Sequence, residues 1–426
     1  MLGKVLKYNR LRQQKRQEEV CEGICSVSYY SKIENDTANP SPEVLDMLME
    51  RLNINQQQIH LYDEKKLKEE LHEWHRLIIN GEVHNAEEKF VDLQQKVASL
   101  KRRKLSVLFE LFFARMCLLI NEGARAKEII FQNENVIRDL NDSELFFYFL
   151  KVKAAREYYI NNYAIAGELL ELAEGKIDIF IHPRFETTDL YYMAGLCASK
   201  LNNSTLAIYY LSRVVDAFDS SYDYIKSGDC RLHLGKAYKA LKKFKEAEEN
   251  YSLASRIASQ LKDQGLEAEI KQLVGEMYSA MGRHKGAVHQ YQLSYRLREK
   301  EERLVTICAI LEELNYLGHK PEMVSWVEHG MEIIRNIRSE RELSVKEKVS
   351  LHKLIYYQVL SDPSGEKDAG KVISHEVIPF FENMDLDGFL PKAAGELARY
   401  YEKSGDYQSS SLYYKKAMEA LQYSTP

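Results

Sequence analysis

The stretch LGKAYKALKKFKEAEENYSLA, at residues 234–254, spaces small and aromatic residues at fixed intervals. Counting from the glycine, Gly235, the pattern continues at Tyr238, Ala247, Tyr251 and Ala254. Small residues fit where two helices cross closely, and aromatic rings fill the spaces beside the crossing. The stretch therefore predicts a helical hairpin.

The same intervals recur along the chain. The stretch VGEMYSAMGRHKGAVHQYQLS, at residues 274–294, repeats them. The small residue of the second helix recurs, in steps of 40, 40, 41, 40 and 40, at Ala86, Ala126, Ala166, Ala207, Ala247 and Ala287. This pattern resembles the tetratricopeptide repeat, with a period longer than the usual ~34 residues.

A repeat of this kind predicts an all-α fold for most of the chain. We count about nine hairpins between residues 67 and 421. Each hairpin buries its apolar stripe only against the next one, so we expect a right-handed superhelix with an inner wall built from the first helix of each pair. We assign residues 71–426 to this repeat domain and residues 63–70 to a helical linker.

Composition limits the classes of function. The 426 residues include 45% hydrophobic and 29% charged residues but only 20 glycines and 8 prolines, which favours long helices over a turn-rich β fold. The N-terminus lacks the features of a secretion signal, and no apolar run is long enough to span a membrane. The six cysteines do not form a disulfide framework. These features predict a reduced, cytoplasmic protein.

Residues 1–62 do not fit the repeat. They contain GICSVSYYSKIENDTANPSPEVL, at residues 23–45, and predict five short helices. Ser26 is a suitable N-cap for the third helix, and Pro42 stands at the start of the fourth. One small core is expected from Leu6, Val20, Ile24, Tyr30, Ile33, Leu45, Leu48 and Leu52. This pattern indicates a helix-turn-helix domain.

Charge and helix periodicity predict where this domain binds double-stranded DNA. The net charge of the chain is −5, so DNA binding requires a local basic patch. Six cations without an intervening acid supply one: Lys4, Lys7, Arg10, Arg12, Lys15 and Arg16. The third helix is expected to enter the major groove, which gives as candidate DNA-binding residues Ser26, Val27, Ser28, Tyr29 and Lys32. Gln17, at the head of the second helix, is a further candidate whose side chain and backbone N–H are expected to meet a phosphate. The alternative is an ordinary solvated helix face.

The stretch QEEVCEGICSVSYYSKIENDTANPS, at residues 17–41, resembles the Cro/repressor type of helix-turn-helix. Together with the repeats that follow, it resembles the peptide-pheromone receptors of Gram-positive bacteria, the Rap, Rgg, NprR, PlcR and PrgX group, and NprR in particular. The resemblance implies a short re-imported signalling oligopeptide as ligand and peptide-dependent activation of genes such as those of extracellular proteases. It also implies that the peptide-free form sequesters a response regulator of the sporulation phosphorelay.

The repeat frame selects the first-helix positions that face the inner wall. As candidate peptide-binding residues it gives Arg115, Tyr148, Lys151, Tyr158, Tyr192, Asp229, Lys236, Gln272 and Asn315, and it also selects Ser199, Lys239 and Glu276. Amide side chains such as Gln272 and Asn315 can both donate to and accept from a peptide unit. Arg115 and Lys236 are candidates for a peptide carboxylate. The alternative is a merely solvated wall.

No catalytic constellation, phosphate-binding loop or dinucleotide fingerprint is present, so we expect neither an enzyme nor a cofactor or metal site. The expected partners are the oligopeptide, double-stranded DNA and a second copy of the chain, in a homodimer or tetramer formed through the C-terminal repeats. Two alternatives stay open from the residues: a protein that sequesters a response regulator, and a plain scaffold.

Overall fold

The computed structural model describes residues 2–54, 56–179, 184–362, 369–384 and 388–423. Within these ranges the secondary structure is helical and no strand occurs, which confirms the all-α prediction. The chain divides into two compact units, Met1–Leu201 and Asn202–Pro426.

The first unit begins with four short helices, α1 (Leu2–Arg12), α2 (Gln17–Cys21), α3 (Val27–Glu34) and α4 (Pro42–Arg51). Six of the eight predicted core residues are buried by this bundle: Leu6, Val20, Tyr30, Ile33, Leu48 and Leu52. The other two, Ile24 and Leu45, are partly buried and pack against them. The predicted small core is therefore confirmed.

Two serines start the helices that follow the turns. The Ser26 hydroxyl accepts a hydrogen bond from the Tyr29 backbone N–H at 3.2 Å and caps α3, and Ser41 does the same for the Val44 N–H at 3.4 Å. Pro42 occupies the first turn of α4. Gly23, in the turn between α2 and α3, has a φ of +71°, a conformation that residues with a Cβ rarely adopt.

The fifth predicted helix, expected from about Asn55 to Leu61, is not a separate element. Asn55 lies outside the described residues, and from Gln56 one continuous helix, α5 (Gln56–Ile79), runs through the predicted linker into the first repeat. The predicted end of the fifth helix at about Leu61 was wrong, and the helix continues because no proline or glycine interrupts residues 56–79.

The first unit continues with alternating repeat helices. They are α6 (Val83–Leu100), α7 (Arg103–Leu119), α8 (Gly123–Leu140), α9 (Ser143–Tyr159), α10 (Tyr163–Glu174) and α11 (Arg184–Lys200), with a 3₁₀ turn at Ile177–Ile179. In this unit α5 pairs with α6, α7 with α8 and α9 with α10. Trp74 is fully buried, and its indole N–H donates to the Ala86 carbonyl at 2.9 Å.

The second unit continues the alternation. Its helices are α12 (Ser204–Ser220), α13 (Tyr224–Ala240), α14 (Phe244–Leu261), α15 (Gln264–Ala280), α16 (His284–Leu297), α17 (Arg303–Leu317), α18 (Lys320–Glu340), α19 (Val345–Ser361), α20 (Ala369–Val372), α21 (Ile378–Glu382), α22 (Phe389–Lys403) and α23 (Tyr407–Tyr423). A π-helical turn, Ile373–Val377, joins α20 to α21. The helix order matches the predicted succession of hairpins.

The repeat period appears in the backbone as well as in the side chains. All six small residues of the sequence series, from Ala86 to Ala287, are fully buried. One residue in the turn that precedes each second helix has a positive φ, at the same register: Gly81, Asn121, Asn161, Asn202, Lys242 and Gly282. Each tight turn therefore reverses the chain at an equivalent point of the repeat.

Glycine permits the close crossing within two hairpins. A Cβ placed on Gly235 would lie 2.4 Å from the Tyr251 ring, and one on Gly275 would lie 2.4 Å from the Tyr291 ring. The interval between glycine and tyrosine is the same in both hairpins, and it is one of the intervals of the sequence pattern. The glycine–tyrosine interval of the repeat pattern therefore corresponds to a tyrosine ring that packs against a helix backbone where no side chain is present.

We expect Gly235→Ala to lower the free energy of unfolding of the second unit by about 1–3 kcal/mol, because the added methyl group overlaps the Tyr251 ring. Gly395→Ala is the matched control: Gly395 lies within α22, and its added Cβ would have no neighbour within 4 Å. The control should leave stability unchanged or raise it, because alanine is the better helix former. Thermal and urea unfolding measure both, and equal midpoints for the two variants would contradict the crossing argument.

Candidate functional site

The outward face of α3 carries the residues expected to read DNA. Val27, Ser28 and Lys32 are exposed, whereas Tyr30 and Ile33, on the opposite face of the same helix, are buried. Ser26 is exposed and uses its hydroxyl to cap α3. The helix is thus anchored on one side and open to solvent on the other.

Tyr29 and Gln17 are only half-exposed, because each has a partner inside the domain. The Tyr29 hydroxyl donates to the Asn39 carbonyl at 3.2 Å, which ties α3 to the loop before α4. The Gln17 side chain donates from Nε2 to the buried carboxylate of Glu34 at 2.7 Å. The amide of Gln17 therefore positions α2 against α3, contrary to the expectation that this side chain turns outward to a phosphate.

Arg10 also differs from its sequence assignment. Its guanidinium donates from Nε to Glu34 Oε1 at 2.6 Å and from a terminal nitrogen to Glu34 Oε2 at 3.1 Å, and it also donates to the Lys15 carbonyl. Both Arg10 and Glu34 are buried. Arg10 was wrongly placed in the basic surface patch, because its counter-charge is remote in sequence, at the end of α3, and becomes adjacent only after folding.

The Arg10–Glu34 pair is a fixed ionic contact between α1 and α3. Burial opposes ionisation of Glu34, but the hydrogen bonds from Arg10 and Gln17 outweigh it, and the pKa of Glu34 is lowered from its ordinary value. Lys4, Lys7, Arg12 and Arg16 stay exposed and keep a positive surface on α1 and the start of α2.

In the first unit, two predicted wall residues are buried. Lys151 lies 2.6 Å from Glu186 Oε2 and 2.7 Å from Asp189 Oδ2, and the Tyr148 hydroxyl donates to Glu186 Oε1 at 2.9 Å. Burial opposes the charge of Lys151, but the two carboxylates outweigh it and raise the pKa of the amine. These side chains join α9 to α11, which corrects the expectation that they face an open groove.

His75 lies beside this cluster and was not selected from the sequence. Its ring stacks on Phe112 at a centroid distance of 4.0 Å. Burial and the nearby charge of Lys151 lower the pKa of His75 well below its ordinary value, so the ring is neutral near pH 7. It therefore packs in the interior between α5 and α7 as an uncharged ring.

The remaining candidates of the first unit are half-buried. The Arg115 guanidinium lies 3.8 Å from the Met193 sulfur and has no carboxylate partner among the described residues. Tyr158 packs edge-on against Tyr163, and Tyr192 is half-buried on α11. Arg115 is thus a guanidinium that keeps its capacity for a carboxylate ligand.

In the second unit, most charged candidates are paired with residues of their own or the next repeat. Asp229 lies 3.5 Å from His233, and Lys236 donates to Glu269 at 2.8 Å. Gln272 is buried and accepts a hydrogen bond from the Thr306 hydroxyl at 3.0 Å, while Asn315 is half-buried near the end of α17. The pairing of Lys236 weakens the expectation that it holds a peptide carboxylate.

A cavity of about 440 Å³ opens on this wall of the second unit. Two residues selected from the sequence, Gln272 and Glu276, form one side of it. The other sides come mainly from the first helices of the next repeats and were missed: Val305, Cys308, Ala309 and Glu312 of α17, Val345, Lys346, Val349, Ser350, Lys353 and Tyr357 of α19, and Phe389 of α22. The sequence signal faded there because the two repeats that begin with α17 and α19 match the pattern weakly.

Comparison with known proteins agrees with both domains. The helix-turn-helix family matches residues 6–55, and tetratricopeptide repeat families match residues 229–300 and 391–420. The chain is 26% identical to the transcriptional activator NprA of Geobacillus stearothermophilus over 405 residues, which cover 94% of this chain and 98% of NprA. The resemblance to the NprR group is confirmed. NprA is a transcriptional activator and is matched over nearly its whole length, which agrees with the prediction that this chain is not an enzyme.

Relatives of the NprR group share the repeat fold. The apo quorum sensor NprR from B. thuringiensis aligns with a TM-score of 0.71 and 17% identity, over 84% of this chain and 99% of NprR. NprR in complex with its cognate peptide NprX aligns with a TM-score of 0.56 and 16% identity, over 84% and 99%. The regulatory protein RapG of Bacillus subtilis is 24% identical over 52% of this chain and 60% of RapG.

Membrane spans and metal sites were also sought in the described part of the chain. No helix there is both long and apolar enough to cross a membrane. Across the same ranges, no cluster of three or more histidine, cysteine or acidic side chains could hold a metal ion.

The Arg10–Glu34 pair makes the N-terminal domain sensitive to acid. Because folding lowers the pKa of Glu34, its contribution is present above the ordinary pKa of about 4.5 and is lost as the pH falls through the folded value. We expect the protection factors of the α3 amides in the full chain, which correct for the slower intrinsic exchange in acid, to fall as the pH is lowered below about 4.5.

Glu34→Gln should flatten this pH dependence and destabilise the domain by about 3 kcal/mol at pH 7, because the buried Arg10 guanidinium loses its counter-charge. Glu50→Gln, on the exposed face of α4, is the control and should keep the wild-type profile. A Glu34→Gln variant with the wild-type pH profile would show that another group governs the acid sensitivity.

Proposed function

We propose that the chain is a quorum-sensing transcription regulator that binds promoter DNA through α3 and a short signalling oligopeptide through its repeats. The observation that supports this most directly is the exposed face of α3 in a helix-turn-helix domain, followed by repeat helices that carry side chains suited to a peptide. NprA, which this chain matches over nearly its whole length, is a transcriptional activator.

DNA binding rests on the geometry of α3. Val27 and Ser28 stand at its first turn, where side chains reach base edges in the major groove, and Lys32 lies further along the exposed face. Ser26 and the α2 N-terminus supply backbone N–H groups for phosphates. Gln17 acts here by holding α2 in place through Glu34.

Peptide binding is proposed for side chains whose donor groups are not all used by hydrogen bonds or ion pairs within the described part of the protein. The Arg115 guanidinium of the first unit fits a peptide carboxylate. In the second unit the Gln272 carbonyl oxygen is bound to Thr306, so its Nε2 is the donor left for a peptide carbonyl, and Asn315 offers a second amide. NprR, which has the same repeat fold, binds its cognate peptide NprX.

The resemblance to the NprR group suggests the regulated genes, the cellular location and the change of oligomeric state. The peptide-bound regulator activates extracellular protease-type genes, acts in the cytoplasm and changes its oligomeric state when the peptide binds. The domains are residues 1–62 for DNA binding and 71–426 for peptide binding and oligomerisation, joined within α5. A peptide can shift these states only by the difference in its affinity for them.

A second candidate function is favoured by the likeness to RapG and other Rap proteins. In this alternative the peptide-free chain sequesters a response regulator of the sporulation phosphorelay and acts as a protein-interaction inhibitor. Such binding would not need the exposed face of α3, so substitutions on that face distinguish it from DNA regulation.

The last helix suggests how two copies associate. On α23, Tyr407, Tyr414 and Met418 are exposed apolar residues spaced by seven and four positions, which places them on one helix face. We therefore propose that α23 pairs with α23 of a second copy, a self-complementary contact of the kind found in two-fold dimers, with tetramers as the higher state.

We expect the protein to enrich specific fragments from the genomic DNA of its own organism. Lys32→Ala should weaken binding and reduce the slope of log affinity against log salt by about 1, because one phosphate contact is lost. Gel shifts at several salt concentrations measure this, with wild-type protein and, as control, Lys320→Ala at an exposed position of α18. Failure to enrich any fragment, with and without a peptide extract, would contradict the DNA-binding proposal.

We expect Met418→Lys to shift the protein towards monomer, because a charge enters the apolar face of α23. Light scattering coupled to gel filtration, at several protein concentrations, measures the mass, and circular dichroism checks the fold. Leu172→Lys, a similarly exposed apolar position on α10, is the control and should keep the wild-type mass. A wild-type protein that stays monomeric at all concentrations would contradict the α23 contact.

A further inference from the structure

A cavity of about 470 Å³ lies in the first unit, where residues of α5, α7 and α9 meet. The apolar part of its lining consists of three buried leucines, Leu105 and Leu108 of α7 and Leu145 of α9. A volume of this size is within the range of sites that hold small ligands. The cavity is therefore large enough for a small molecule that has an apolar part.

Three ion pairs connect the helices around this cavity, one between each two of α5, α7 and α9. Arg102 immediately precedes α7, and Asp142 caps α9. The pairs are Glu64–Arg102, Lys104–Asp142 and Lys68–Glu144, and in the last two the lysine nitrogen lies 2.5 Å from a carboxylate oxygen. The walls of the cavity are thus connected to one another without a ligand, and three of its cations already have a counter-charge.

Two further cations line the same cavity. Lys65 directly follows Glu64 on α5, and it is exposed. Arg103 directly follows Arg102, is the first residue of α7 and is also exposed. Neither Lys65 nor Arg103 has a carboxylate partner among the described residues. The lining therefore contains five cations but only three carboxylates, which leaves two positive charges unbalanced in one cavity.

A phosphate group matches this excess charge better than a carboxylate does. A phosphate monoester carries close to two negative charges at neutral pH, whereas a carboxylate carries one. Arginine can bind a phosphate through two N–H groups at once, and lysine binds it as a point charge. Because the rest of the lining includes the three leucines, the ligand that fits also has an apolar or aromatic part to place against them.

We propose that this cavity binds a nucleoside polyphosphate, with its phosphates between Lys65 and Arg103 and its base against the three leucines. The three ion pairs stay intact in this complex, because the cations that hold the phosphates are the two that lack a carboxylate partner. The site shares no residue with the exposed face of α3 or with the cavity of the second unit. The inference is therefore independent of DNA binding and of peptide binding.

The test is isothermal titration calorimetry of the full chain at constant ionic strength, in the presence of a metal chelator. The probes are ATP, GTP, adenosine and inorganic tripolyphosphate. We expect the better of the two nucleotides to bind at one site per chain, at least about tenfold more tightly than either adenosine or tripolyphosphate, a difference of about 1.4 kcal/mol. Its affinity should fall as salt is added, because salt screens the contacts of the phosphates.

Lys65→Gln combined with Arg103→Gln locates the site. Removal of both charges should weaken nucleotide binding at least about tenfold and leave the fold intact, because neither side chain has a carboxylate partner among the described residues. Lys127→Gln combined with Lys176→Gln is the matched control. It removes two charges from exposed positions of the same unit that do not line the cavity, and it should keep the wild-type affinity. Circular dichroism checks the fold of both double variants.

Five results would overturn the inference. Equal affinities for nucleotide and tripolyphosphate would indicate an adventitious ion only, and equal affinities for nucleotide and adenosine would remove the role of the two cations. Nucleotide binding that survives the Lys65 and Arg103 substitutions would take place elsewhere on the chain. Displacement of the nucleotide by a short DNA duplex of random sequence would identify the two cations as DNA contacts. Absence of binding at millimolar nucleotide would leave the cavity without this ligand, while the proposed function would stand.

Discussion

The close approach of the two helices within each hairpin is the contact on which the repeat units depend. In two consecutive hairpins a tyrosine ring occupies the space where Gly235 and Gly275 lack a side chain, and at six positions a fully buried alanine serves the same purpose. Many of the paired helices have 17 or 18 residues, which accounts for a period longer than the usual ~34 residues. Longer helices give each hairpin a longer first-helix wall.

That wall is largely occupied by internal ion pairs. Lys151 is bound between Glu186 and Asp189, and Lys236 and Lys239 are bound to Glu269 and Glu276. Ions taken out of water need such partners, and a ligand would have to displace them at a cost. Selectivity for a peptide is therefore expected from the groups without a carboxylate partner among the described residues, such as Arg115 in the first unit and Lys346 at the cavity of the second.

In the N-terminal domain, too, a buried charged side chain is bound by partners within the protein. Glu34 lies on the proposed recognition helix but faces inward, where it binds Arg10 of α1 and Gln17 of α2. This single carboxylate connects three helices and fixes the angle at which the face of Val27, Ser28 and Lys32 is presented. The basic surface loses one positive charge as a result, but α3 is held against α1 and α2.

The sequence by itself determined the fold class, the helix-turn-helix with its caps and core, the repeat period and the outward face of α3. Each of these depends on local periodicity or on short intervals such as that between Gly235 and Tyr251, which are visible along the chain. Tertiary structure alone decided which charged and polar side chains are available. The partners of Arg10, Gln17 and Lys151 lie on other helices, well separated along the chain, and the cavity collects residues from five helices between Gln272 and Phe389. Pairing and burial depend on distances in space, which a repeat frame does not encode.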